Sequence, residues 1–199
     1  MKCSYFLITF VALTTALSFA QDFGARVAGG TGSFTGDAGE DLDDYGWHVG
    51  GGAFMLCDFG FAALNVGASA VYKTPGGTDN LKGPEMEIYI TEIAIEIPVL
   101  LRYFVTKRIY IEAGPQINLA FSPTSKMKSN IGQSLPRDED IINDRFFEFG
   151  IAGTFGYMIN KKLSMDMRYF RSLTNYVDAE PKGGIHQLSF GISYLFWRS

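Results

Sequence analysis

Residues 187–196 read Gln-Leu-Ser-Phe-Gly-Ile-Ser-Tyr-Leu-Phe, with a large apolar or aromatic side chain at every second position. Those side chains are Leu188, Phe190, Ile192, Tyr194 and Phe196. Because successive residues of a β-strand point to opposite faces, this alternation predicts a strand with one apolar face and one face of mostly small or polar residues. A strand of about ten residues with that pattern suits the wall of a barrel with lipid outside and a polar lumen inside.

The same alternation recurs along the chain and predicts eight strands. They lie near 22–32, 46–56, 60–72, 88–105, 108–121, 146–158, 162–172 and 185–196. The links between them are alternately short and long. Short links cover 57–59, 106–107 and 159–161, and long loops cover 33–45, 73–87, 122–145 and 173–184. This sorting indicates turns at one end and loops at the other. The predicted fold is all-β, an eight-stranded antiparallel up-and-down transmembrane β-barrel.

The N-terminus predicts export from the cytoplasm. Lys2 precedes an apolar run over residues 5–19, which closes on Ser18-Phe19-Ala20. Small residues at the two positions that a signal peptidase reads indicate a signal peptide over 1–20, cleaved before Gln21. A retained anchor helix is disfavoured because the run is short for a membrane span. Residues 21–199 would then form the barrel domain, in the outer membrane of a Gram-negative bacterium.

Composition excludes several classes of protein. The 199 residues carry a formal net charge of −4, which argues against a nucleic-acid partner, since such proteins present a basic patch. Of the two cysteines, Cys3 lies in the predicted leader and Cys57 remains alone. A disulfide-stapled secreted domain is therefore excluded. We expect no cofactor.

Two segments in the middle of the chain carry a distinctive pattern, EIPVLLRY at residues 96–103 and YIEAGPQ at residues 110–116. They resemble the PorT-like outer-membrane β-barrel family of the Bacteroidetes and related Gram-negative groups. Members of that family often carry E-I-P-x-L-L-[KR]-Y followed by E-A-G-P-Q. Residues 163–175 and 186–191 are similar to the family's seventh and last strands. The resemblance implies the barrel fold and its location, accommodates Pro98 and Pro115 within strands, and implies no active site.

Charged residues fall on the polar faces of the predicted strands. This candidate lumen charge network comprises Arg26, Glu92, Glu96, Arg102, Glu112, Glu148, Asp166 and Arg168, and we expect His48 beside it. An eight-stranded barrel is only wide enough for side chains to fill its interior, and buried charges must pair. A structural plug of salt bridges is therefore favoured over a gated ion path or proton relay.

The predicted loops carry two charged groups. Acidic residues cluster at Asp37, Glu40, Asp41, Asp43 and Asp44, without the spacing of a calcium-binding EF-hand loop. We expect a solvated loop and no metal site. Basic residues occur at Lys73, Lys82, Lys126, Lys128, Arg137, Arg145 and Lys182. They either contact lipopolysaccharide phosphates or are ordinary surface cations. Residues 136–140, Pro-Arg-Asp-Glu-Asp, have the composition of a mobile loop, which suits either a partner-binding loop or simple disorder.

Catalytic residues are not expected. Lipid-acting outer-membrane enzymes use a histidine with a serine and a carboxylate, and this chain has only His48 and His186. His186 and Ser189 are an odd number of residues apart, so they point to opposite faces of a regular strand. We expect a small non-enzymatic barrel with a structural or loop-mediated role. The alternatives are a narrow transport pore, a secretion-accessory barrel, a lipid-acting enzyme and a soluble barrel of lipocalin type.

Overall fold

A computed structural model of the chain describes residues 22–36, 46–74, 76–79, 86–129, 147–174 and 183–198. These residues form nine strands. They are β1 (Asp22–Gly36), β2 (Gly46–Asp58), β3 (Ala62–Thr74), β4 (Gly76–Asp79), β5 (Met86–Phe104), β6 (Ile109–Ser129), β7 (Glu148–Met158), β8 (Leu163–Ser172) and β9 (Gly183–Arg198). No helix long and apolar enough to cross a membrane occurs in the described part of the chain.

The strands close on themselves. Each long strand pairs antiparallel with its neighbours in the chain, β1 also pairs with β9, and β3 pairs with β5. The short β4 pairs only with the first residues of β5, from Gly76 opposite Tyr89 to Asp79 opposite Met86. Eight strands therefore make the wall, and the predicted eight-stranded antiparallel barrel is confirmed.

The alternation of side chains is also as predicted. In β7 the even-numbered residues are buried in the barrel, and the residues between them, such as Ile151 and Phe155, are exposed on its outside. β8 and β9 show the same division. The outer face is built of large apolar side chains, which suits contact with lipid. A lipocalin-type barrel would turn such a face inward, so the structure disfavours that alternative.

The two ends of the barrel differ. The described links 59–61, 105–108 and 159–162 lie at the same end as Asp22 and Arg198, and the long loops leave from the other end. Outer-membrane barrels keep short turns in the periplasm and long loops outside the cell. We call these the turn end and the loop end.

Some strands extend beyond their predicted bounds. β5 and β6 stay paired out to Met86 opposite Ser129, and β4 lies in a segment that we expected to be loop. The reason is that the β5–β6 hairpin continues past the wall of the barrel. There the strands do not contact lipid, so apolar and polar side chains need not alternate along them. Several predicted features lie outside the described residues. They are the leader 1–20, the acidic cluster of 37–44, segment 136–140, and the basic residues Lys82, Arg137, Arg145 and Lys182.

Both strand prolines lie beside gaps in the ladder. The pairing of β3 with β5 lapses between Val66 and Ser69, opposite Pro98. The pairing of β5 with β6 lapses between Gln116 and Ala113, at Pro115. Neither gap shifts the register, so each missing N–H falls where no ladder bond is made and no bulge is required.

Candidate functional site

Glu112 is the centre of a charged group in the half of the lumen nearer the turn end. Its side chain is 1% exposed. Oε1 accepts hydrogen bonds from Nε of Arg102 at 2.7 Å and from Nδ2 of Asn65 at 2.8 Å. Arg102 Nη2 lies 2.7 Å from the same oxygen, and Arg168 Nη2 lies 3.8 Å from Oε2. Donors from three strands therefore converge on one carboxylate.

A second ion pair joins the first strand to the eighth. Nε of Arg26 donates to the Asp166 carboxylate at 3.1 and 3.2 Å, and Nη2 contacts Oδ1 as well. The guanidinium packs against Gly191, where a Cβ would lie 2.6 Å from Nη2. Ser193 Oγ donates to Asp166 Oδ2 at 3.4 Å. The bare backbone of Gly191 makes room for this pair.

Two of these cations have further partners. Arg168 Nε donates to Thr154 Oγ1 at 3.2 Å. The Arg102 guanidinium lies 4.0 Å from the centre of the Tyr110 ring, a cation–π contact that gains strength away from water. Buried charges of this kind are retained when every partner is in place.

Lys73 and Glu96 form a pair nearer the loop end. Lys73 Nζ lies 3.0 Å from Glu96 Oε1, and the lysine is 2% exposed. With its amide oxygen turned toward Lys73, Gln187 accepts from Nζ at 2.8 Å and donates to Glu96 Oε1 at 3.3 Å. His48 is buried within the same group. The group thus draws side chains from four strands, β2, β3, β5 and β9.

A polar row crosses three adjacent strands at this level. The register places Asn118 opposite Glu96 on one side and opposite Glu148 on the other. Asn118 Nδ2 donates to Glu148 Oε2 at 2.8 Å, and Gln116 Nε2 donates to Asn118 Oδ1 at 2.9 Å. Glu92 is also buried in this half of the lumen. All eight residues of the candidate network thus lie on the inner face.

Lys73 corrects our placement of the basic residues. We assigned it to a loop, but β3 continues to Thr74 and carries Lys73 into the lumen. The sequence already indicated this position, because Asn65, Ser69 and Lys73 are separated by even numbers of residues. Such residues lie on the same face of a strand. Four neutral amides that also face the lumen were not predicted, because they do not stand out by charge: Asn65, Gln116, Asn118 and Gln187.

The described side chains leave little open space in the lumen. One cavity of about 20 Å³ lies among Arg26, Asn65, Arg102 and Glu112. A second of about 10 Å³ lies among His48, Ser69, Glu96 and Ser189. Each has room for about one water molecule. Side chains therefore fill the lumen around these two groups.

The two histidines do not form an accessible catalytic group. His48 shares the smaller cavity with Ser189 and Glu96, which has no room for a lipid or peptide substrate. His186 lies on the other face of β9 from Ser189, with its ring 6.3 Å from that of Tyr169. Among the described residues, no group of three or more His, Cys, Asp or Glu side chains could hold a metal ion.

Comparison with known proteins agrees with this fold. The structure of Neisserial surface protein A is similar with a TM-score of 0.52 and 10% identity, covering 86% of this chain and 96% of that one. Ail, the attachment invasion locus protein of Yersinia pestis, gives a TM-score of 0.45 and 9% identity, covering 89% and 99%. No curated protein sequence matches the chain. Residues 19–178 match the family described as outer membrane protein beta-barrel domain. The chain belongs to this family, and its place is the outer membrane.

Proposed function

We propose that this protein is a non-enzymatic outer-membrane barrel whose lumen is closed by paired side chains. Its work is structural or depends on contacts made by the loops at the loop end. The filled interior carries this proposal. Salt bridges from Arg26, Lys73 and Arg102 occupy the described part of the lumen, and the cavities beside them hold about one water each. A solute path would need those pairs to part.

We further propose that the barrel is of the PorT-like type. The two segments that carry the resemblance lie on adjacent strands, and Arg102 of the first binds Glu112 of the second. The ladder gaps at Pro98 and Pro115 lie in the same segments. The resemblance thus rests on residues that contact one another inside the wall.

The partners that we propose are lipid around the wall and a protein or lipopolysaccharide at the loop end. The outward apolar face supports the first. The β5–β6 hairpin supports the second, because its pairing out to Ser129 extends the backbone past the wall at the loop end. We also propose that residues 1–20 are a cleaved signal peptide.

Single-channel recording tests the closed lumen. The protein is extracted from outer membranes and placed in a planar lipid bilayer. The intact mass of the same sample shows whether the mature chain begins at Gln21. Wild type should be silent. Glu96→Ala and Arg102→Ala should give brief, irregular openings, because each removes one member of a buried ion pair. Ile151→Ala, on the lipid-facing side, serves as the control and should be silent.

Stable conductance steps in the wild type that change with the two lumen substitutions would contradict the proposal. They would make the charged group an ion path instead of a plug.

A further inference from the structure

Two turns at the turn end have the same chemistry. Residues 105–108 read Val-Thr-Lys-Arg and residues 159–162 read Ile-Asn-Lys-Lys. Each begins with an apolar side chain, continues with a hydrogen-bonding residue and ends with two cations. The third short link, 59–61, has no cation. Four positive charges are therefore gathered on two neighbouring turns of a chain that is acidic overall.

Both turns are held by equivalent hydrogen bonds. Thr106 Oγ1 accepts from the backbone N–H of Arg108 at 3.2 Å and of Ile109 at 2.9 Å. Asn160 Oδ1 accepts from the N–H of Lys162 at 2.8 Å and of Leu163 at 2.9 Å. Such side-chain caps fix the backbone of a turn. The cations are thus presented from ordered positions.

The two turns are also tied to each other. The N–H of Met158 donates to the carbonyl of Arg108 at 2.7 Å. Arg108 Nη1 donates to the hydroxyl of Tyr157 at 3.2 Å. An open groove runs between the turns, lined by Lys107, Arg108 and Lys161, and Asp58 lies at its side. Asp58 Oδ1 already accepts from the N–H of Gly60 at 2.7 Å. Positive charge dominates the groove.

The groove lies at the edge of the lipid-facing wall. Val105 and Ile159, the first residues of the two turns, are 53% and 41% exposed. Tyr103 and Tyr157 face outward just above them, as aromatic side chains do at the boundary between lipid and water. The apolar residues point to the hydrocarbon, and the cations follow at the level of the head groups.

We propose that these turns form a binding site for anionic phospholipid head groups in the periplasmic leaflet of the outer membrane. Lys107, Arg108, Lys161 and Lys162 bind the phosphates, while Val105 and Ile159 lie against the first acyl carbons. A phospholipid is favoured over a soluble anion because the cations adjoin the apolar wall. The site lies at the end opposite to the loops and does not depend on the state of the lumen.

Lipid selectivity tests the proposal. The refolded protein is placed in phosphatidylcholine vesicles that contain a minor share of phosphatidylglycerol. Spin-labelled forms of both lipids report their relative association with the barrel by electron paramagnetic resonance. Wild type should prefer phosphatidylglycerol, and the preference should weaken as salt is added. In the quadruple variant K107Q/R108Q/K161Q/K162Q it should fall by about fivefold or more, since one basic residue near an anionic surface is worth about that factor.

The matched control removes two cations from β6 at the loop end of the barrel. K126Q/K128Q makes the same change in net charge as each pair variant of the turns and should keep the wild-type preference. The pair variants K107Q/R108Q and K161Q/K162Q should each lose part of it, so the test does not depend on the quadruple variant folding. Excess inorganic phosphate, at an ionic strength matched with chloride, should not abolish the preference.

Four results would overturn the proposal. The first is full selectivity in the turn variants, and the second is an equal loss in the loop-end control. The third is displacement of the lipid by inorganic phosphate, which would indicate a soluble anion. The fourth is a wild type without lipid preference, together with turn variants that alone fail to sediment with peptidoglycan, which would assign the groove to the cell-wall polymer.

Discussion

Lys73 is a positive charge in a space that admits almost no water. Its ammonium group contacts Glu96 at 3.0 Å, and Gln187 is placed to bind both members of the pair. A charge in such a position is tolerated because its partner is also there. Removing one member leaves the other buried alone, which costs about 3–5 kcal/mol.

We therefore expect Lys73→Met and Glu96→Gln each to destabilise the barrel by about 3 kcal/mol. The double variant should lose less than the sum of the two, with a coupling energy of about 1 kcal/mol or more. Equilibrium urea unfolding in lipid vesicles measures all three. With vesicles of phosphatidylcholine alone, which contain no anionic lipid, Lys107→Met at an exposed turn position is the control and should leave the free energy of unfolding nearly unchanged. Strictly additive losses would show that the two side chains do not stabilise one another.

The sequence predicted which charged residues face the lumen better than it predicted their partners. A charge on the polar side of an alternating strand has only one place to go, so Arg26, Glu112 and Asp166 could be assigned to the interior. Which of them pair depends on register around the closed barrel. Arg26 and Asp166 are 140 residues apart, and no local pattern links them.

Individual strands depend on glycine at points of close approach. At Gly52 in β2 a Cβ would overlap the carbonyl oxygen of Ala68 in β3. The same holds for Gly30 against the carbonyl of Leu188. Inner-face glycines thus let the backbones of neighbouring strands approach closely.

Gly52→Ala should destabilise the barrel by about 1–3 kcal/mol, the usual cost of overpacking, because the atom that it meets is backbone and must move with its strand. Gly153→Ala is the matched control. Its side chain would point outward, 3.9 Å from the nearest atom, the carbonyl oxygen of Glu112. Thermal unfolding in detergent distinguishes the two. Equal melting temperatures would mean that β2 and β3 separate at no cost.

Strand existence was predictable, and strand length was not. The eight wall strands follow from alternation, which the bilayer imposes on any residue that contacts it. β4 and the outer parts of β5 and β6 lie beyond that constraint. Residues 122–129, Ser-Pro-Thr-Ser-Lys-Met-Lys-Ser, show no apolar face, yet their backbone pairs with β5. Strands that are held only by backbone hydrogen bonds need no particular side chains, so their amino-acid composition does not reveal them.

The whole molecule is oriented by its outer surface. Val27, five positions into β1 and 64% exposed, lies in the middle of the lipid-facing band. Val27→Lys should destabilise the inserted barrel by about 2–4 kcal/mol, the cost of a lysine near the bilayer midplane. Val105→Lys, at the turn end, should cost only about 0–1 kcal/mol. Unfolding from vesicles measures both, and equal costs would place Val27 outside the hydrocarbon.

The ion pair between Arg26 and Asp166 has a consequence for how the protein matures. The pair spans β1 and β8, and its guanidinium packs on Gly191 of β9, so it forms only when the first and last strands meet. An open sheet would carry Arg26 and Asp166 into hydrocarbon without each other, since β1 and β8 are brought together only through β9. Insertion into the membrane should therefore be completed in one step, when β1 pairs with β9. Until then the assembly machinery must keep the polar inner face away from lipid.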